Sequence, residues 1–189
     1  RAAVRDAMET AGDLLGGVDV LVNAAGSMRT SRFCDLDEAT FREVLDVNLL
    51  GAFHVAQEAV GHMMRSGGRV LLITSIHGQI GVPGRSAYAA SKGAVASLAR
   101  VMAAELAERR IRVNVLAPGA IDGGMSVDPT SRQGWVSATP CSRVAHLEEV
   151  ASVAAMLTSD AASFVTGQVV AVDGGASTLK RFDTCHSGS

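Results

Sequence analysis

Val18-Asp-Val-Leu-Val-Asn-Ala-Ala-Gly26 sets the architecture of this chain. Its first part, residues 18–23, reads as a short apolar strand that stops at small residues and a glycine. A Val- and Leu-rich run without polar alternation suits a parallel strand covered on both faces. Ala24, Ala25 and Gly26 then leave room for a second backbone or a flat ligand. Two further runs follow the same grammar: Arg69-Val-Leu-Leu-Ile-Thr-Ser75 and Ile111-Arg-Val-Asn-Val-Leu-Ala-Pro118-Gly119-Ala-Ile121. Helical periodicity fills the intervals. The pattern predicts helices over 1–15, 37–65, 87–108 and 147–158, and strands over 18–23, 69–74, 112–117 and 168–172. Strands alternating with helices predict an α/β fold with a doubly wound parallel sheet. Gly67-Gly68 is expected to stop the second helix.

Tyr88 and Lys92 stand four residues apart in Ser86-Ala-Tyr88-Ala-Ala-Ser91-Lys92. In a helix they share one face. Such a pair can be no more than an amphipathic phenol beside a solvated ammonium. It can also be an acid/base, because a fixed cation favours the phenolate and lowers a pKa that is ordinarily about 10. Ser75 closes the second strand, where a hydroxyl can face the crevice in which open α/β sheets bind ligands. Asn48 falls on the apolar stripe of Phe41, Val44, Leu45, Ala52, Phe53, Ala56, Val60 and Met63. A buried amide there needs hydrogen-bond partners.

Taken together and in order, these segments resemble the short-chain dehydrogenase/reductase family in its single-domain form. The resemblance rests on Asn23-Ala-Ala-Gly26, Asn48, Ser75, Tyr88-x-x-x-Lys92, Pro118-Gly119 and Val165-Thr-Gly-Gln-Val-Val-Ala-Val-Asp173-Gly-Gly175, and covers about residues 1–177. It implies a Rossmann-like fold and an oxidoreductase that interconverts a secondary alcohol and a ketone, such as a 3-oxoacyl or sugar substrate. It implies NAD or NADP as cofactor. Asn48, Ser75, Tyr88 and Lys92 would be catalytic, with Tyr88 the acid/base and Ser75 holding the substrate oxygen. Lys92 would hold the nicotinamide ribose and lower the tyrosine pKa, and Asn48 would place a water that links Lys92 to solvent. Asn23, Ala24, Ala25, Gly26, Pro118, Gly119 and Ile121 would line the cofactor cleft beside Tyr88 and Lys92. The resemblance also implies a homodimer or homotetramer through the helices that carry Asn48 and Tyr88.

The chain departs from that family at two places. Family members begin with strands and a Gly-rich turn that cradles the cofactor pyrophosphate. This sequence starts inside a helical pattern, so roughly 60 residues, at about 30 per βαβ step, are expected to be missing. The missing N-terminal segment is expected against strand 18–23, which is otherwise an open edge. Residues 1–189 alone are expected to bind dinucleotide weakly or not at all. The second departure is Gly123, where the family usually carries Thr or Ser. A non-catalytic binding or assembly module, or an inactive truncated fragment, is the competing reading, because fold alone does not settle function.

Composition narrows the remaining classes. The chain has 189 residues, 48% of them apolar, and a net charge of −2. That suffices for one sizeable core and gives no electrostatic case for nucleic acid or an anionic membrane. The sequence has no apolar run long enough to span a bilayer. Cys34, Cys141 and Cys185 are odd in number and widely spaced, without metal-like spacing, which suggests free thiols and a cytoplasmic location. Residues 1–177 read as one domain and 178–189 as a frayed polar tail. The irregular segment 119–145 is expected to cover the substrate, with Met125, Val127, Trp135 and Val136 as apolar contacts. His77 reads as a solvated loop histidine that could reach the substrate. Asp35, Asp37 and Glu38 read as helix-start acids.

Overall fold

A computed structural model describes residues 1–63, 67–125 and 130–178. The elements run α1 (Ala2–Leu15), β1 (Val20–Asn23), α2 (Glu38–Leu45), α3 (Gly51–His62), β2 (Gly68–Ile73), α4 (Ser86–Leu106), β3 (Ile111–Pro118), α5 (Arg132–Ala138), α6 (Leu147–Thr158) and β4 (Val169–Val172). The four strands form one parallel sheet in the order β1-β2-β3-β4. The predicted elements are present with ends shifted by a few residues, except that the helix expected over 37–65 is divided, and its residues 64 and 65 lie outside the described residues. Val127 and the tail beyond residue 178 lie outside the described residues.

Both faces of β2 and β3 are covered, which makes the sheet doubly wound. Val70, Leu72, Val113 and Val115 pack with Ala52, Val60, Val95, Ala99 and Ala103 of α3 and α4. The alternate residues Leu71 and Leu116 pack with Val150 and Leu157 of α6. Side chains alternate across a strand, so a continuous apolar run fills two cores at once.

Strand β1 behaves differently from its sequence. Val20 and Val22 are 43% and 48% exposed, although the run reads as a strand covered on both faces. The reason is position: β1 is the sheet edge among the described residues, and the helix α3 packs on the face that carries Leu21, which leaves the face of Val20 and Val22 uncovered. The long helix expected over 37–65 is also interrupted. Asp37 caps α2 by accepting from the Thr40 backbone N–H at 2.8 Å, as its helix-start role predicts. Residues Asp46–Leu50 then form one wide π-type turn before α3. Such turns insert a residue into a helix and recur at functional sites. This one carries Asn48.

Candidate active site

Strand β2 leads through Thr74 into a short turn, Ile76–Gly78, that lies directly on α4. The approach is close. A Cβ on Gly78 would fall 2.8 Å from the Gly93 backbone nitrogen and 2.9 Å from the Lys92 carbonyl carbon. Glycine therefore lets the Ser75 turn press onto the helix that bears Tyr88 and Lys92. Gly78→Ala should push the two apart, costing about 1–3 kcal/mol as overpacking does. Urea unfolding checks this, and wild-type stability would show that the contact is loose.

Tyr88 and Lys92 both lie inside, 5% and 4% exposed. The Lys92 ammonium donates to the Ile73 carbonyl at 3.1 Å and lies 5.6 Å from the centre of the Tyr88 ring. Burial pulls the Lys92 pKa down to about 8. The phenol moves the other way. Burial raises the Tyr88 pKa, while a hydrogen bond with Ser75 and the charge of Arg85 oppose the rise. Lys92, expected from its spacing to lower this pKa, is not among the groups that move it. Here desolvation dominates, and the opposing groups are Ser75 and Arg85.

Asn48 is 2% exposed and joins three segments. Its Oδ1 accepts from the Ser27 N–H at 2.7 Å. Its Nδ2 donates to the Ser27 carbonyl at 2.9 Å and to Ser91 Oγ at 2.9 Å. Ser91 Oγ in turn donates to the Tyr88 carbonyl at 2.7 Å. The amide clamps the loop after β1 to α4, and both of its protons are committed. Gly26 sits within that clamp. A Cβ there would lie 3.2 Å from Asn48 Oδ1 and 3.3 Å from Lys92 Nζ.

A cleft at the C-terminal ends of β2 and β3 collects most of the remaining expected residues. Ile73, Thr74, Ser75, Tyr88, Pro118, Gly119, Ile121, Gly123, Gly124 and Met125 line it. Asn23, Ala24 and Ala25 stand apart from this lining, at the C-terminal end of β1. Gly123 adopts φ +72°, a conformation that side chains with a Cβ rarely take. The neighbouring Asp122 is ion-paired with Arg132 at the start of α5. This turn as it stands suits glycine and places no side-chain hydroxyl at the position.

Two features were not legible beforehand. His77 is 3% exposed, not a solvated loop histidine, because its ring is enclosed by Tyr88 and Trp135. Arg85 bonds Thr30 Oγ1 at 2.6 Å and acts electrostatically on both Tyr88 and His77. Its place three residues before Tyr88, just ahead of α4, was the available signal. Among the described residues, no cluster of His, Cys, Asp and Glu could hold a metal ion. None of the described helices is long and apolar enough to cross a membrane.

Comparison with known proteins gives a consistent picture. A family model described as enoyl-(acyl carrier protein) reductase matches residues 1–177. The chain is 39% identical over 178 residues to the 3-oxoacyl-[acyl-carrier-protein] reductase FabG of Thermotoga maritima, covering 93% of this chain and 72% of that protein. It is 40% identical over 163 residues to the 3-oxoacyl-[acyl-carrier-protein] reductase MabA of Mycobacterium tuberculosis, covering 85% and 66%. The crystal structure of a gluconate 5-dehydrogenase from Burkholderia cenocepacia, in complex with NADP and tartrate, matches with a TM-score of 0.88 and 33% identity. That match covers 95% of this chain and 72% of the other. The chain thus spans about two thirds to three quarters of these relatives.

Proposed function

The chain belongs to the short-chain dehydrogenase/reductase family of oxidoreductases, and from that premise we propose that it reduces a ketone to a secondary alcohol with NADH or NADPH. The observation that carries this reading is a buried ammonium beside a buried phenol, with the phenol opening on a cleft lined by Ser75. A purely structural module has no use for that arrangement, since burying an unneutralised charge costs several kcal/mol. The same geometry speaks against the competing non-catalytic reading.

The residues present fit the nicotinamide end of a dinucleotide. Pro118, Gly119 and Ile121 form a largely apolar wall on which a flat ring would pack, and Tyr88 in that lining, with Lys92 beside it, would supply donors for ribose hydroxyls. When bound, the cofactor supplies a hydride to the carbonyl carbon. Tyr88 gives its proton to the carbonyl oxygen. Ser75 donates a hydrogen bond to that oxygen and steadies its developing charge. Asn48 fixes the loop and helix that carry these groups, and the free lone pair of its Oδ1 can take a water beside Lys92. A phenol held above its ordinary pKa keeps its proton at neutral pH but gives it up less readily, so the hydrogen bond with Ser75 and the charge of Arg85, which oppose the rise, favour the transfer.

Both 3-oxoacyl-carrier-protein reductases and a gluconate dehydrogenase are among the chain's relatives, so 3-oxoacyl thioesters and sugar ketones are the substrates to try. Cytoplasmic residence accords with the free, exposed Cys34 and Cys141. We assign self-association to the α3–α4 groove lined by Phe53, Leu98 and Met102, where Val101 is 54% exposed. The full-length protein is tested by following consumption of NADH or NADPH with that panel. Turnover is expected, and Ser75→Ala should lower kcat by about 10²–10³. A folded protein that oxidises neither cofactor with any ketone would overturn the reading.

A further inference from the structure

The geometry points to a clasp in which Trp135 of α5 holds Tyr88 in place through the His77 ring, making Trp135 and His77 positioning residues for the proton donor. This rests on the reading of Tyr88 as the acid.

The indole is the single tryptophan of the chain. It stacks on the His77 ring with centroids 5.5 Å apart and planes inclined by 26°. His77 also meets Tyr88 edge-on, 5.8 Å away at 79°. Both distances fall in the range where aromatic pairs attract. His77 is 3% exposed, and among the described residues its Nδ1 has no hydrogen-bond partner. The contacts of the ring with Trp135 and Tyr88 are therefore the ones that can orient it from that side. Burial, reinforced by the charge of Arg85, holds the imidazole pKa below its ordinary value, which keeps the stack uncharged at neutral pH.

The element carrying the indole is itself tied down. Arg132 at its start is ion-paired with Asp122. Past its end, Thr139 bonds back to the Trp135 carbonyl through its backbone nitrogen at 3.0 Å and its hydroxyl at 2.8 Å. Cys141 then joins the loop after β4, its N–H donating to the Gly174 carbonyl at 3.2 Å. A shift of α5 would press the indole on His77, whose ring in turn meets the phenol. The phenol ring also has the Lys92 ammonium 5.6 Å from its centre, and Lys92 is anchored to β2. Small misplacements of a reacting group cost about 10²-fold when large enough to break alignment, so a stiff donor has kinetic value.

The test uses full-length protein. Trp135→Ala should lower kcat about tenfold while leaving the KM for NADPH unchanged, and Trp135→Phe should restore most of the loss. His77→Ala should match Trp135→Ala, and the double variant should lose no more than either, because the two act in series. An unchanged kcat in Trp135→Ala, or losses that multiply in the double variant, would overturn the clasp. A second measurement does not need turnover. Fluorescence of the lone indole should change in intensity or wavelength in His77→Ala, and superimposable spectra would refute the stack. A wild type without ketone reductase activity defeats the proposed function, while the spectra still decide whether the indole and the imidazole stack.

Discussion

Tyr88→Phe should abolish ketone reduction while leaving the fold intact. The ring stays, so its packing against His77 and Lys92 stays with it. What goes is one hydroxyl, and with it the proton that the substrate oxygen must receive. General acid catalysis of this kind contributes roughly 10²–10⁴ in rate, and kcat should fall by about that factor. Stability should change by only about 1 kcal/mol, the net worth of one hydrogen bond such as that with Ser75. The pH profile separates this from a packing effect. The phenol is raised above its ordinary value, so it is protonated throughout the neutral range. Wild-type reduction should be level around neutral pH, fall in a first step near pH 8 as the Lys92 ammonium loses its proton, and fall again only in strongly alkaline solution, as the donor ionises. The variant should lack that second fall. Stopped-assay rates over pH, with Tm measured alongside, check both points; a variant with near-normal kcat would place the proton donor elsewhere.

Much of this arrangement could be read from residue types and spacing. Val70, Leu71, Leu72 and Val113 are apolar without alternation because both sheet faces are covered, and covered faces imply helices on each side. Tyr88 and Lys92 share a helix face by arithmetic alone. What escaped depended on neighbours distant in sequence. The exposure of Val20 and Val22 follows from which elements pack against β1, and nothing local in the run reports that. The wide turn at Asp46–Leu50 is invisible because Val47, Leu49 and Leu50 are ordinary helix residues. His77 reads as a loop residue until Trp135 is brought over it by a short helix in a stretch that looks irregular. The direction of the Tyr88 shift escaped for a related reason. Spacing puts a cation on the same face, but depth of burial decides which influence wins.

Lys92→Met should give a protein that is more stable at pH 7 and inactive. The Lys92 pKa falls from 10.5 to about 8 on folding. The folded state therefore holds this proton less tightly than the unfolded state. Above pH 10.5 the amine is neutral in both states and folding loses nothing. As pH falls towards 8 the unfolded chain takes up the proton first, and the fold is progressively destabilised. Below about pH 8 both states are charged and the penalty stays constant, at about 3 kcal/mol for a shift of this size. Methionine fills similar space without the charge, so it escapes that penalty. It also leaves the Ile73 carbonyl without its 3.1 Å donor, which costs about 1–2 kcal/mol. The net gain at pH 7 should be about 1–2 kcal/mol, or a Tm higher by roughly 2–8 °C in a chain of this length. Near pH 11 the gain should vanish or reverse. Catalysis should fall by at least about 10², since the group beside the phenol no longer orients or charges the site. Urea unfolding at the two pH values measures the first part, and single-turnover reduction the second. A Lys92→Met protein less stable than wild type at pH 7 would mean that the ammonium is better solvated than its burial indicates, and that it is held for structure, not chemistry.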